Sequence, residues 1–360
     1  MPEIGVAVLA TGRMAQIHLA ALDALRTTNR FREDAPFQVG KLVVHGRNEE
    51  KARALAATFP DVQVQMDYDA ILNDPGVHVV DNCLVNSLHY PTLRAAIEAG
   101  KHVYTEKPLT AHLDEARRLR DQAVQAGVHH GIVQNMRFQA GPARAKEILQ
   151  RGELGRIFHV RAVFGYFVPP DLANRPAWFY QKEEAGGGIV HDMMAHFFDL
   201  LEYWVAPVEQ IAAVTGTFFP ERTGPGGERF PVEVEDTGAV LARLRGGAIA
   251  DVFASWVRRK HEAVPTFQID GEKGSLLFNF HRLWIQKSEE TPLFRFDPTI
   301  EQVNNEQGWT ELLLERVNPF QEQLRQFLEG IATRKPVRPD WNDAVRTQEL
   351  IEEAYARTLG

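Results

Sequence analysis

The stretch IGVAVLATGRMAQIHLAAL, residues 4–22, decides how the rest of the chain is read. Its first six residues, IGVAVL, form a short apolar run, as in a strand covered on both faces. From Gln16 to Leu25 the apolar residues recur at helical spacing. Between these elements stands ATGRMA, residues 10–15, at the place where a dinucleotide-binding unit carries a GxGxxG turn. Aligned to that pattern it supplies Ala10, Gly12 and Ala15. Gly12 is the middle glycine, the one that lets the backbone approach a pyrophosphate. Ala10 replaces the tight-turn glycine and is expected to keep φ negative, because positive φ strains an L-residue. Ala15 adds a single methyl group where helix and strand pack closely. Thr11, Gly12, Arg13 and Met14 are the expected phosphate-loop contacts, at a helix N-terminus whose amides can face an anion. Arg13 reads equally well as a cation pointing into solvent.

Outward from this stretch the same alternation repeats. KLVVHG, VHVVDNCLV, KHVYTE and HHGIVQ read as strands; NEEKARALAATF, YPTLRAAIEAG and DEARRLRDQAVQAG read as helices between them. Asn48 is placed to cap the first of these helices, and Gly100 to end the second. Strand and helix units in this order imply a doubly wound parallel sheet. RTTNRFREDAPFQ reads as an irregular connection.

Beyond about Asn135 the pattern changes. A helix over Pro142 to Gln150 leads to the alternating strand GRIFHVRAVFGYF, and another helix follows the GGG at 186. QIAAVTGTFF, TGAVLARLRG, AIADVFASW, TFQIDG, GSLLFN and RLWIQK then predict a large open, predominantly antiparallel sheet with helices on one face. The expected α/β architecture has a Rossmann domain over residues 1–134 and a substrate-binding and oligomerisation domain over 135–360. The terminal helix is free to pack on either. ERTGPGGERFPVEVED, residues 221–236, is the best candidate for a mobile loop.

The bulk properties narrow the partners. The chain has 360 residues and a net charge of -8, which argues against broad binding to nucleic acid or anionic membranes. No apolar run approaches the roughly 20 residues of a membrane helix. No secretory leader is visible, and Cys83 is the only cysteine, so a cytoplasmic protein is expected.

Six motifs, in order, carry a resemblance: GVAVLATGRMAQIH at 5–18, NSLHYPTLRAAIEAGKHVYTEKPL at 86–109, RGELGRI at 151–157, GGGIVHDMMAHFFDLL at 186–201, EDTGAV at 235–240 and DGEKGSL at 270–276. The chain resembles the Gfo/Idh/MocA family, the glucose–fructose oxidoreductase and inositol dehydrogenase group. The resemblance implies hydride transfer between NAD(P) and a hydroxyl or keto carbon of a sugar, anhydro-sugar or cyclitol, without a metal. It places the catalytic lysine on Lys107, and the aspartate and histidine after the GGG on Asp192 and His196. It puts Glu106, Lys107 and Pro108 beside the nicotinamide, often with a cis bond before the proline. Asn86 and His89 match its cofactor-binding segment and are expected to contact cofactor or hold the crevice loop.

Residue chemistry supports these roles in part. Asp192 and His196 stand four apart and would share a face of an α-helix. His196 could exchange the hydroxyl proton while Lys107 stabilises an alkoxide, and the reverse division reads equally well. His191 would point about 100° from Asp192 and is expected at the substrate side without a catalytic role. Trp178, Arg137 and Arg175 are further substrate candidates, with Trp178 able to stack on a polyol face. The GGG at 186–188 permits unusual dihedrals and close approach of a ligand.

VVHGRN, residues 43–48, ends the second strand without the carboxylate that receives ribose hydroxyls in NAD sites. Gly46 leaves room and Arg47 can pair with a 2′-phosphate, so NADP is preferred over NAD. Two other readings stay open, an NAD-dependent glycoside-cleaving enzyme and a non-catalytic sensor of sugar or nucleotide. A homodimer or homotetramer is expected.

Overall fold

The computed structural model of the chain describes residues 2–30, 35–171, 176–224, 226–293 and 307–358. It divides into two compact units. One comprises Met1–Phe138, Glu184–Gly186 and Asn318–Glu349; the other comprises Gln139–Glu183, Gly187–Val317 and Leu350–Gly360. The first unit thus takes in a segment near the C-terminus.

In the first unit the strands are β1 (Glu3–Leu9), β2 (Gln38–His45), β3 (Val62–Val64), β4 (Val79–Asn82), β5 (His102–Thr105) and β6 (His130–Ile132). All are parallel, in the order β3-β2-β1-β4-β5-β6. The order reverses beside β1, and in such sheets the ligand crevice lies at the carboxyl ends of the strands. The helices are α1 (Arg13–Arg30), α2 (Glu49–Ala56), α3 (Tyr68–Asn73), α4 (His89–Glu98) and α5 (Leu113–Ala126).

The apolar run of β1 serves two cores. Ile4, Val6 and Val8 join one cluster with Leu19 and Leu22 of α1, while Ala7 and Leu9 join another with Leu93 and Leu119. Alternate side chains leave opposite faces of a strand, and both faces here are covered. The returning segment fills each side. Leu324, Phe327 and Leu328 enter the first cluster, and Trp341, Ala344 and Val345 the second.

Asn48 caps α2, its side chain accepting the Lys51 N–H at 2.9 Å. α1 runs through RTTN, which was expected to be irregular. There the Thr27 hydroxyl donates to the Asp23 carbonyl at 3.0 Å, and buried Asn29 donates to the Phe37 carbonyl at 3.3 Å. β3 and α3 are too short to show a period in the sequence.

In the second unit, α6 (Ala140–Gln150) and β7 (Ile157–Phe167) come first. A short α7 (Lys182–Ala185) precedes the GGG, and α8 (Ala195–Trp204) follows it. The remaining strands are β8 (Val208–Gly216), β9 (Glu221–Thr223), β10 (Arg229–Pro231), β11 (Thr237–Leu244), β12 (Ile249–Ser255), β13 (Val257–Gly271), β14 (Gly274–Phe278), β15 (Leu283–Lys287) and β16 (Trp309–Leu312). Two further helices, α9 (Pro319–Thr333) and α10 (Trp341–Ala356), close the chain.

The large sheet has the order β16-β15-β14-β13-β7-β12-β11-β8 and is antiparallel except for the β7–β12 pair. Aromatic rings seat α8 on one face, Trp204 lying 5.1 Å from Phe267 and 5.2 Å from Phe278. Val214, Leu241, Ile249 and Leu277 remain exposed.

The segment expected as a mobile loop carries instead the β9–β10 hairpin. Buried Arg222 anchors it, donating to the carbonyls of Val168 and Pro169 at 3.2 and 3.1 Å beneath the Tyr180 ring. No helix among the described residues is long and apolar enough to cross a membrane.

Candidate active site

The β1–α1 turn brings the expected phosphate contacts together at the carboxyl end of β1. Ala10 has φ of +118°, so the turn does not keep φ negative as expected. Its N–H donates to the His45 carbonyl at 2.8 Å, tying the turn to the end of β2. Holding an alanine there strains the backbone by about 1–3 kcal/mol, a kind of strain that clusters at ligand sites.

Gly12 is exposed, and a Cβ added to it would meet no atom within 4 Å. Its φ is not positive, so neither packing nor backbone conformation requires a glycine. The open space suits a pyrophosphate lying against the backbone, and the residues present therefore fit a dinucleotide. Arg13 is exposed, Thr11 and Met14 are half-buried, and Ala15 is buried in the core.

The end of β2 meets the same turn. A Cβ on buried Gly46 would lie 2.7 Å from the Thr11 Cγ2. Arg47 is exposed beside it. Thr11 thus explains why position 46 is small, independently of any cofactor preference.

The EKP segment follows β5. Lys107 is half-buried, and the Lys107–Pro108 bond is cis. His89 is wholly buried, with Nδ1 2.8 Å from the Pro108 carbonyl and Nε2 3.0 Å from that of Leu84. Burial lowers its pKa, and the ring sits between two loops. The ring has no exposed surface. Asn86 donates to the Ala185 carbonyl at 3.2 Å.

Glu106 belongs to a buried polar cluster. Its Oε1 lies 3.2 Å from His18 Nε2, and its Oε2 accepts the Lys107 N–H at 3.2 Å. On the other side of the ring, His18 Nδ1 lies 2.9 Å from Asp81 Oδ2. Cys83 Sγ is 3.3 Å from the same nitrogen, and burial pushes its thiol pKa up to about 12. His18, Asp81 and Cys83 bring three ligand-type atoms within 4.8 Å of one another. With the thiol protonated and the nitrogen already engaged by a carboxylate, the trio reads as an ion-paired imidazole.

In the second unit, residues Val190–Met194 form a π-helical turn that passes into α8. A π-turn spaces its hydrogen bonds at i and i+5 in place of the i and i+4 of an α-helix. His191 and His196 are buried, and Asp192 is half-buried. Such turns are frequent at functional sites.

The GGG has three separate reasons. Gly186 has φ of +84°. A Cβ on Gly187 would lie 2.3 Å from the Tyr355 hydroxyl oxygen, and one on Gly188 only 1.9 Å from the Glu235 carbonyl oxygen. Glu235 Oε1 then accepts the N–H groups of Gly188 at 3.1 Å and Val190 at 3.0 Å, and the Tyr355 O–H at 2.8 Å. Burial raises the Glu235 pKa against the pull of these donors. Two of the glycines therefore admit protein neighbours at the entry to the π-turn, where approach of a ligand was expected.

Residues 4–133 match the oxidoreductase family with an NAD-binding Rossmann fold, and residues 143–277 match the GFO/IDH/MocA C-terminal domain. The chain belongs to the GFO/IDH/MocA oxidoreductase family. It is similar to the D-xylose dehydrogenase of Paenarthrobacter nicotinovorans, at 31% identity over 95% of this chain and 92% of that protein. The levoglucosan dehydrogenase of Pseudarthrobacter phenanthrenivorans is also 31% identical, over 78% of this chain and 75% of the relative. A solved levoglucosan dehydrogenase in complex with NADH and L-sorbose has a TM-score of 0.85 at 26% identity, covering 99% of this chain and 98% of that one. Membership makes the protein an oxidoreductase, and the reading as a non-catalytic sensor falls away.

Of the other substrate candidates, Trp178 is half-buried with its ring 5.8 Å from Phe179. Arg137, expected at the substrate, is buried with Nη2 3.2 Å from Asp343 Oδ1, an internal ion pair that anchors the start of α10. Arg175 lies outside the described residues. His18, Asp81, Glu235 and Tyr355 are not among the residues expected at the site from the sequence. Two of them carried a signal. His18 falls on the apolar face of α1, three after Ala15 and four before Leu22, and Asp81 interrupts the apolar strand VHVVDNCLV. An ionisable group in either place needs a partner.

Proposed function

We propose that the protein is an NADP-preferring dehydrogenase or reductase acting on a hydroxyl or keto carbon of a pyranose-like sugar, anhydro-sugar or cyclitol. The observation that carries the cofactor assignment is the open space over Gly12, at the N-terminus of α1 and the carboxyl end of β1. The NADP preference rests on the end of β2, where His45, Gly46 and Arg47 supply no carboxylate. The substrate class rests on relatives named for D-xylose, levoglucosan and scyllo-inositol, the last with NADP(+).

A bound nicotinamide supplies the hydride acceptor or donor. Lys107 stabilises the developing alkoxide, or polarises the ketone in the reverse direction. His196 takes the hydroxyl proton and returns it during reduction. Asp192 orients the imidazole or accepts a substrate hydroxyl. His191 and Trp178 contribute to the substrate side, and His89 holds the loop that carries Pro108.

Titration of recombinant protein with NADPH and NADH tests the cofactor. Absence of saturable binding to either would end the proposal. Mass spectrometry of co-purified ligand and a polyol panel scored by nicotinamide fluorescence test the substrate; net hydrolysis without net cofactor turnover would replace oxidation with glycoside cleavage. Lys107→Ala and His196→Asn divide the proton-transfer roles, since loss of the acid–base limb from the kcat/KM pH profile identifies the base.

For assembly, we propose self-association through the large sheet, whose exposed Val214, Leu241, Ile249 and Leu277 form the apolar surface. Light scattering should give a dimer or tetramer, and Leu241→Glu should lower the mass. A monomeric wild type would refute this.

A further inference from the structure

His18 has no exposed surface, yet its ring lies between two carboxyl groups. Nδ1 is 3.0 and 2.9 Å from the two Asp81 oxygens, and Nε2 is 3.2 Å from Glu106 Oε1. An ionised carboxylate only accepts hydrogen bonds, so each ring nitrogen is best matched as a donor. Both are donors only in the imidazolium.

The other titratable neighbours of His18 are Cys83, with Sγ 3.3 Å from Nδ1, and Tyr104, with its ring centred 5.9 Å away. Phe320 of α9 closes a further side at 5.7 Å. Burial alone would lower the His18 pKa; the charge of Asp81 and the hydrogen bonds to Asp81 and Cys83 hold it well above its ordinary value. Burial also keeps the Tyr104 hydroxyl protonated.

Glu106 connects this ring to the EKP segment. One carboxylate oxygen faces His18, and the other receives the Lys107 N–H. The Glu106 N–H donates to the Asn82 carbonyl at 2.9 Å, fixing the backbone on β4. We propose that His18 is a positioning residue for hydride transfer: as a buried cation it fixes the Glu106 carboxylate and, through it, the backbone that presents Lys107. The inference rests on the role proposed above for Lys107. Without the cation, two carboxyl groups would face each other's side of the site with no positive partner between them, and the Glu106 side chain would lose the group that orients it.

His18→Gln removes the charge while retaining an amide donor. The expected result is a kcat lower by about tenfold or more, within the roughly 10²-fold that a 1 Å misplacement costs, with cofactor Kd unchanged. Glu106→Gln should add little to His18→Gln in a double-mutant cycle, because each removes the same pair. Unchanged kcat in a folded variant, or strictly additive losses, would overturn the proposal. A readout on the wild type covers a variant that fails to fold. With 15N-labelled histidine, His18 is identified by its ring-proton contacts to Tyr104 and Phe320. Both its nitrogens should remain protonated at a pH above the ordinary histidine value of about 6.5. A neutral His18 ring there overturns this proposal alone, whereas a wild type that binds no nicotinamide overturns it together with the dehydrogenase reading.

Discussion

Gly12→Ala separates what the folded chain needs from what a bound dinucleotide needs. A Cβ at this position meets nothing within 4 Å, and the backbone is not left-handed. Stiffening the unfolded chain by replacing glycine with alanine contributes about 0.4–1 kcal/mol of stability. Against this, Gly12 directly precedes α1, and its carbonyl accepts the Gln16 N–H at 3.1 Å. It is therefore the N-cap, where alanine is worse than glycine by a few tenths to about 1 kcal/mol. The two effects nearly cancel. At roughly 2–4 °C per kcal/mol, the Tm of the free protein should move by less than about 3 °C. In the proposed bound state the methyl group would stand where the pyrophosphate approaches the backbone. Losing one charge-assisted hydrogen bond there costs about 1.5–3 kcal/mol, or roughly 10–150-fold in Kd. Thermal melts of the free protein and fluorescence titrations with NADPH and NADH read the two quantities separately. Wild-type affinity in the variant would refute the placement of the cofactor over Gly12. A large fall in the Tm of the free protein would refute the open space.

Gly188→Ala should behave in the opposite way. Its Cβ would stand 1.9 Å from the Glu235 carbonyl oxygen, which is backbone and cannot rotate aside, so about 1–3 kcal/mol of overpacking should lower the Tm by about 2–12 °C. Ala10→Gly releases the strain of φ at +118° but loosens the unfolded chain, for a net gain of about 1 kcal/mol; a lower Tm in thermal melts would contradict the strained turn. Gly46→Asp, made with Thr11→Ser to clear the 2.7 Å contact, should raise the NADPH-to-NADH ratio of Kd values roughly tenfold or more, through repulsion of the 2′-phosphate. The raised His18 pKa has a stability signature of definite sign. Its contribution is full below the ordinary histidine pKa of about 6.5 and is lost as pH rises through the higher folded value. The Tm difference between wild type and His18→Gln should therefore shrink with rising pH, and a difference that widens would contradict the ion pair.

Much of this was legible in the order of residues. The run IGVAVL, the helical spacing after it and the repeated alternation lead to a parallel doubly wound sheet because burial on both faces requires apolar strands. Asn48 and the turn at the GGG could be placed because local backbone chemistry dictates caps and glycine positions, whereas the EKP segment was placed by the resemblance to the family. What the sequence could not settle depended on partners distant along the chain. Ala10 takes a strained φ in a turn tied to His45, and Arg137 turns inward to meet Asp343, 206 residues on. Gly187 and Gly188 make room for Tyr355 and Glu235, whose carboxylate then accepts the N–H groups of Gly188 and Val190 at the start of the π-turn. His18 reads as an odd residue on an apolar helix face until Asp81 and Glu106 arrive on either side of it. Periodicity is a property of neighbours along the chain and survives in the sequence. The pairing of a buried charge is a property of neighbours in space, and only the fold supplies them.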